Sequence, residues 1–199
     1  MENYKGLLAK FSFSLASFRV HTALKGRITY PAPLSSTVIG MFLAMAGIPR
    51  EEYIKNREKF FAGSQLVSYK GKGSEIATLL KLKLGRNTRT PEFIEYILYP
   101  EYLVAIFGPA EIIEELSSRI EDYWFEFPVF AGNNELLFDD VKLIREFERS
   151  EKTTKIYNSY MIPEKVKLNS LRGRAIRYPI LYGKEQGEVF FIEGDAEIN

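Results

Sequence analysis

Hydrophobic and polar positions alternate at the start of the chain. In the stretch "GLLAKFSFSLASF", every second position from Leu7 to Leu15 is apolar. This period of two predicts a strand with one buried face. A loop over 17–34 follows, and the apolar run after it predicts a helix over 35–46 that ends at Gly47.

The remaining pattern predicts a charged helix over 49–61, several strands, and a clear amphipathic helix over 109–124. Beyond residue 135 the chain is strand-like, with a frayed tail expected over 194–199. The order strand–helix–strands–strand–helix–strand favours an α+β fold with a ferredoxin-like, RRM-like split βαβ core and a C-terminal β-rich extension. We place the two parts at 1–135 and 136–199.

The charges are segregated, although the net charge is only +1. Acidic residues are missing from 3–50, 76–91 and 165–184, and each of these intervals carries several lysines and arginines. The interval 92–151 instead holds fifteen acidic and four basic residues. Such a chain can present a basic face to a polyanion and an acidic face elsewhere. Basic strand edges that merely suppress aggregation remain the alternative.

Composition excludes several classes of chemistry. The chain has no cysteine, which excludes disulfides and zinc–thiolate sites, and His21 is its single histidine. A hydrolytic triad and a multi-histidine metal site are thereby excluded, while a lone general base stays possible. We expect no cofactor. The longest apolar run, 38–48, is too short to span a bilayer, so we expect a cytoplasmic protein without a membrane partner.

The loop and the helix start that follows it combine the groups that bind single-stranded RNA. Cations neutralise phosphates, aromatic rings stack on unpaired bases, and free amides at a helix start accept anions. Side-chain oxygens at the helix start are also expected to cap it. The candidate residues here are Arg19, His21, Lys25, Arg27, Tyr30, Ser35 and Ser36.

Three further segments complete the candidate RNA-binding set. The stretch "KLKLGRNTRT" predicts a basic hairpin or loop that reaches along a bound strand through Lys81, Lys83, Arg86 and Arg89. In "FAGNNE", Gly132 permits close backbone approach or a positive φ, and Asn133 and Asn134 add amide donors and acceptors. Arg172 and Arg174 either line the same groove or face a partner, and the sequence leaves both open.

Two stretches resemble a known family. "YPAPLSSTVIGMFLAMAGI" is similar to the N-terminal signature of the CRISPR-associated Cas-five family, and "RTPEFIEYILYPEYLVAIFG" with "FPVFAGNNE" resembles its middle section and glycine motif. The resemblance is tightest over 1–48 and 89–135. It implies a RAMP-type ferredoxin-like subunit of a type I effector complex, Cascade, that holds the 5′ handle of CRISPR RNA and contacts the backbone and large subunits.

Two departures from the family pattern bear on chemistry. Many relatives have Leu-Gly-Arg at the glycine motif, where this chain has Ala131-Gly132-Asn133. One branch cleaves precursor RNA with a Tyr, Lys and His cluster that cannot be placed here with His21 alone. We therefore expect a subunit without catalytic residues. The alternatives are a metal-independent endoribonuclease using His21 or Tyr30 with Lys25, and a ferredoxin-like scaffold that binds only protein.

Overall fold

The computed structural model describes residues 3–23, 26–83, 86–133, 135–148, 154–182 and 185–199. It is a mixed α/β protein built mostly of strands, as the sequence predicts. The described elements are, in chain order, β1 (Tyr4–Ser12), β2 (Leu15–Ala16), β3 (Phe18–Arg19), β4 (Thr29–Tyr30), α1 (Ser35–Met45), a 3-10 turn (Arg50–Glu52), α2 (Tyr53–Arg57), β5 (Phe61–Ser68), β6 (Gly71–Lys83), β7 (Arg86–Leu98), β8 (Glu101–Pro109), α3 (Ala110–Glu121), β9 (Asp140–Phe147), β10 (Lys155–Met161), two further 3-10 turns (Pro163–Lys165 and Leu168–Ser170), β11 (Arg172–Tyr182) and β12 (Glu185–Glu197).

The main sheet has seven strands in the order β11-β12-β10-β5-β8-β1-β9. Within it, β1 pairs antiparallel with both β8 and β9, and β5 pairs antiparallel with β8. Helix α1 lies between β1 and β5 in the chain, and α3 lies between β8 and β9. Both helices pack on one face of this sheet, where β1 and β8 alternate buried and partly exposed residues.

Two shorter sheets stand beside the main one. Strands β6 and β7 form a long antiparallel hairpin, which β2 joins through Leu15 and Ala16. Strands β3 and β4 form a two-stranded sheet of their own within the loop 17–34. The loop is attached to the hairpin by β2, directly before it, and by a bridge between Arg27 and Ile94, and this attachment positions the candidate site.

The C-terminal strands extend the main sheet, because β10 pairs with β5 and β12 pairs with β10. The predicted fraying of 194–199 is wrong. Strand β12 runs to Glu197, and Ala196 and Ile198 are buried in a second apolar cluster with Ile192. The alternation of small or apolar residues at these positions continues the strand pattern into the tail. The division at residue 135 stays a prediction.

The predicted helix over 49–61 is shorter than expected. It consists of a 3-10 turn and α2, which ends at Arg57. Phe61 instead begins β5 and pairs with Phe107 of β8, because pairing with the sheet satisfies its backbone. No helix in the described part of the chain is long and apolar enough to cross a membrane.

Candidate nucleic-acid interface

The segment 30–33, "YPAP", is fixed to the sheet by hydroxyl groups from distant strands. Each consecutive carbonyl from Pro31 to Pro33 accepts a hydrogen bond from a side-chain hydroxyl. The donors are Tyr102 to Pro31 at 3.2 Å, Tyr160 to Ala32 at 2.8 Å and Ser64 to Pro33 at 2.6 Å. Because proline lacks an N–H group, the segment has few backbone donors, and its carbonyls are paired by side chains instead.

Tyr30 is 1% exposed, and its hydroxyl donates to the carbonyl of Pro179 at 2.7 Å. Burial raises the pKa of its phenol. At 1% exposure the ring offers no open surface to a base, so the predicted stacking on Tyr30 would require the ring to be uncovered first. His21 is exposed, and its Nδ1 lies 3.4 Å from the Tyr30 hydroxyl oxygen, so the histidine is the accessible member of this pair.

The start of α1 differs from the prediction. The residue before the helix is Leu34, and no side chain caps the helix among the described residues. The Leu34 carbonyl instead accepts from the amides of Thr37 at 2.8 Å and Val38 at 3.0 Å. Ser35 and Ser36 are exposed and line a groove of about 400 Å³ with Arg57. The capping prediction is therefore wrong, and the serines face solvent at the helix start.

The glycine turn docks on the beginning of the loop 17–34. Gly132 has φ +98°, and a Cβ at this position would lie 1.9 Å from the carbonyl oxygen of Ser17. The amide of Ser17 donates to the Ala131 carbonyl at 2.9 Å. The predicted close approach and positive φ are both confirmed, although the neighbouring backbone belongs to the chain itself.

Arg27 joins the loop, the hairpin and the glycine turn. Its Nη1 donates to Asn133 Oδ1 and its Nε to Glu92 Oε2, each at 3.3 Å. Its backbone amide donates to the Phe93 carbonyl of β7 at 2.6 Å, and its carbonyl accepts from the Glu95 amide at 2.9 Å. A guanidinium held this way orients the loop, and its predicted phosphate contact must compete with Glu92.

The predicted basic hairpin is confirmed as strands β6 and β7, which have thirteen residues each. At about 3.3 Å per residue each strand is about 40 Å long. The register pairs Lys83 with Arg86 near the tip. Arg89 is exposed. The side chains of Lys81, Lys83 and Arg86, and all of Lys25 and Asn134, lie outside the described residues.

Strand β11 meets the loop at Tyr178 and carries Arg172 and Arg174 near its beginning. The ring of Tyr178 lies 5.2 Å from that of Tyr30, centroid to centroid. Arg172 and Arg174 are at least four residues earlier on this strand, and Arg174 pairs with Glu193 at 3.5 Å. At the rise of an extended strand, Arg172 is about 20 Å from Tyr178. The structure therefore separates these two arginines from the loop, whereas Arg19 is exposed on β3 within it.

Comparison with known proteins decides the family. Residues 6–131 match the model of the family described as CRISPR-associated protein (Cas_Cas5). The chain belongs to this family. No curated protein gives a significant match.

The Cas_Cas5 member also resembles solved structures of CRISPR proteins. A Cas protein seen in a crystal structure matches with a TM-score of 0.53 and 16% identity, over 97% of this chain and 94% of the other. A chain of a CRISPR RNA-guided surveillance complex matches with a TM-score of 0.53 and 14% identity, over 98% and 88%. A chain of the Type III-B Cmr-beta complex bound to cognate target RNA matches with a TM-score of 0.50 and 9% identity, over 97% and 86%. At these identities the likeness establishes the fold.

Two acidic residues of β7 were missed by the sequence analysis. Glu92 pairs with Arg27, and the carboxylate of Glu95 accepts from the Thr29 amide at 3.0 Å. Both hold the loop of this Cas_Cas5 member against the hairpin. The available signal was their spacing of three residues directly after a basic stretch, where carboxylates have cationic and amide partners.

Proposed function

We propose that this Cas_Cas5 family member is a non-catalytic subunit of a type I CRISPR effector complex and holds the 5′ handle of the CRISPR RNA. The observation that carries the proposal is the convergence at Arg27: the loop 17–34, the middle of strand β7 and the glycine turn meet at this one residue. Two segments selected from the sequence as separate RNA-binding candidates, the loop and the glycine turn, are adjacent in space, and Arg27 joins both to the strand that carries Arg89.

The strand order supports a ferredoxin-like core for this subunit. Strands β1, β5, β8 and β9 with α1 and α3 follow a β-α-β-β-α-β order, and the four strands lie side by side as β5-β8-β1-β9. The hairpin β6–β7 is inserted between β5 and β8, and β2 pairs with it at its base. In this arrangement the hairpin forms a separate sheet beside the core, and its position there suits an arm that binds along the RNA.

Binding would rest mainly on phosphate neutralisation. Arg19 is exposed on the loop and Arg89 on the hairpin, and the cations of the hairpin tip continue the same basic sequence. Each neutralised phosphate releases counterions, so the affinity must fall with salt. We infer that Arg27 positions the loop. Arg172 and Arg174, separated from it, do not belong to the handle site. The backbone and large subunits of the complex would contact other surfaces.

The rival function, a metal-independent endoribonuclease, has one observation in its favour. His21 Nδ1 is 3.4 Å from the Tyr30 hydroxyl oxygen, which is within range of a proton relay. Against it, the Tyr30 hydroxyl already donates to Pro179, and burial raises the pKa of this phenol, which opposes formation of a phenolate. A scaffold that binds only protein predicts no RNA affinity at all.

The test compares the RNA affinity of two variants, each with two charge reversals. Arg86→Glu with Arg89→Glu alters the hairpin, and Arg172→Glu with Arg174→Glu is the matched control on β11. With a labelled CRISPR repeat RNA and EDTA present, we expect the hairpin variant to bind about tenfold more weakly, with a log–log salt slope smaller by about 1.4. The control should bind like the unaltered protein. Equal losses in both variants would contradict the proposal, and RNA cleaved on a denaturing gel would establish the nuclease.

A further inference from the structure

An apolar groove lies on the helical side of the molecule, between α1 and the segment 126–130. It has a volume of about 760 Å³ and an open mouth. Apolar side chains form most of its wall: Leu43, Ile48, Pro49, Phe127, Pro128 and Phe130. The segment is fastened across the end of α1 by the Phe127 amide, which donates to the Ala44 carbonyl at 3.3 Å. The groove therefore has a fixed backbone on both sides.

Large rings stay exposed beside the groove. Phe127, which lines the groove, is 43% exposed, and Trp124, three residues before it, is 57% exposed. Large exposed apolar patches on a protein surface usually mark a site of interaction with another molecule. The chain itself covers only about half of Trp124 and Phe127, so a partner could bury the remainder of both rings.

The charge around the groove selects the partner. Glu51 lines it, Glu126 begins the segment that forms its wall and lies 4.0 Å from Arg119, and Glu121 and Asp122 precede the exposed rings. The groove also runs along the C-terminal half of α1, where the helix dipole is negative. Arg50 is the one cation among its lining residues. This field attracts cations and repels the phosphates of a nucleic acid.

The chain already shows how this surface holds a guanidinium. Arg119 stacks on the ring of Trp124, with its Cζ 4.6 Å from the ring centroid. Its Nη2 is 2.8 Å from Glu115 Oε1, and its Nη1 donates to the Met45 carbonyl at the end of α1. An aromatic face, a carboxylate and a helix-end carbonyl together bind a cation well. Two of these kinds of group also line the groove, a carboxylate at Glu51 and aromatic rings at Phe127 and Phe130.

We propose that this groove docks a basic amphipathic segment of a partner protein, with apolar residues seated between α1 and Phe127 and lysines or arginines facing the acidic rim. The size of the groove suits a few side chains, as in recognition of a short peptide by a preformed groove. The inference does not depend on RNA binding by the loop 17–34.

The test uses two synthetic peptides of equal length and identical leucine spacing, one with lysine and one with glutamate at the polar positions. Trp124 is the sole tryptophan of the chain and reports binding through its fluorescence. We expect saturable binding of the Leu/Lys peptide and none of the Leu/Glu peptide. Glu51→Lys should weaken binding about five- to tenfold, whereas the exposed control Glu58→Lys should not.

A second pair of variants tests the apolar wall. Phe127→Ser should abolish saturable binding, whereas Phe61→Ser, which removes a 70% exposed ring outside the groove, should leave it unchanged. Circular dichroism melts establish that both variants fold. Binding that ignores Glu51→Lys and Phe127→Ser, or no binding of either peptide, would overturn the proposal.

Two other results would also overturn the proposal, because each would identify a different occupant of the groove. A single-stranded oligouridine that competes with the peptide and loses affinity in Phe127→Ser would assign the groove to RNA. Self-association in sedimentation that Phe127→Ser removes would assign it to a second copy. The hairpin variant Arg86→Glu with Arg89→Glu should bind the peptide normally, which separates a failure of this proposal from a failure of RNA binding.

Discussion

The hydroxyl of Tyr160 donates to the carbonyl oxygen of Ala32 at 2.8 Å and accepts from the amide of the same residue at 3.2 Å. One phenol thus satisfies both backbone groups of a residue 128 positions earlier in the chain. Ala32 is fully buried, so neither group can turn to water. The contact fixes the end of the loop 17–34 to β10, and with it the start of α1.

Removing this hydroxyl should therefore destabilise the fold. Tyr160→Phe leaves the Ala32 amide and carbonyl buried without their partner, which costs about 1–3 kcal/mol of unfolding free energy. The matched control is Tyr157→Phe on the same strand, where the ring is 48% exposed and water can replace a lost bond. Urea denaturation of both variants measures the difference. Equal stability of the two would show that the Tyr160 contact contributes nothing net.

Gly132→Ala should be among the most disruptive small substitutions in the chain. The new Cβ would lie 1.9 Å from the Ser17 carbonyl oxygen, and the φ of +98° is unfavourable for any L-residue. We expect a loss of about 1–3 kcal/mol, together with weaker RNA binding because the loop shifts.

The control for this glycine is Gly63→Ala, where a Cβ would meet nothing within 4 Å. Its free energy of unfolding should stay within about 0.5 kcal/mol of that of the unaltered protein. Chemical denaturation and the RNA gel shift measure both variants. If Gly132→Ala unfolds like Gly63→Ala, the contact with Ser17 is not a constraint on the fold.

Periodicity predicted the elements well where packing is local to one strand or helix. The alternation over 7–15 corresponds to β1 as far as Ser12, where the strand ends and Leu15 begins β2 of another sheet, and the amphipathic run became α3 over Ala110–Glu121. The close approach at Gly132 was also predicted, since glycine permits both a close backbone approach and a positive φ, although a plain hairpin turn was an equal alternative. What approaches it was not, because Ser17 is 115 positions away in the sequence.

The candidate site could be predicted by segment but not by side chain. From the sequence, Arg27 and Tyr30 are equally good candidates for an RNA contact, as a cation and a ring that precede two prolines. Their roles differ because Tyr30 is covered by Tyr178 and Pro179, residues that carry no local signal of this contact. Similarly, Ser35 and Ser36 match a capping pattern, but the Leu34 carbonyl takes the amides that their oxygens would have bonded.

Stability should fall at high pH through Tyr96. Burial, and then a hydrogen bond to Glu75, raise the pKa of this phenol from 10.0 to about 12. Between these values the unfolded chain releases the proton while the folded chain keeps it. The stabilisation is therefore complete below about pH 10 and is lost as the pH rises through about 12.

The measurement for Tyr96 is the difference in unfolding free energy between the unaltered protein and Tyr96→Phe, followed across this pH range. The difference should shrink as the pH rises. Glu75→Gln removes the charge that the phenolate would face, so the phenolate absorbance of Tyr96 should appear at lower pH in that variant. A difference that stays constant with pH would place the Tyr96 pKa at its ordinary value.

Arg19 and Arg27 should differ in how they support RNA binding. Arg19 is exposed on β3, so Arg19→Glu should weaken affinity for a CRISPR repeat RNA about tenfold and reduce the salt slope, with the unfolding free energy unchanged within about 0.5 kcal/mol.

Arg27→Gln breaks the bonds to Glu92 and Asn133 and should cost about 1 kcal/mol of stability. Its affinity loss should come with little change in salt slope, because under the proposed function Arg27 orients the loop and Arg19 contacts a phosphate. Gel shifts over a salt series, paired with urea denaturation, separate the two roles. A salt slope that changes with Arg27→Gln but not with Arg19→Glu would reverse the assignment.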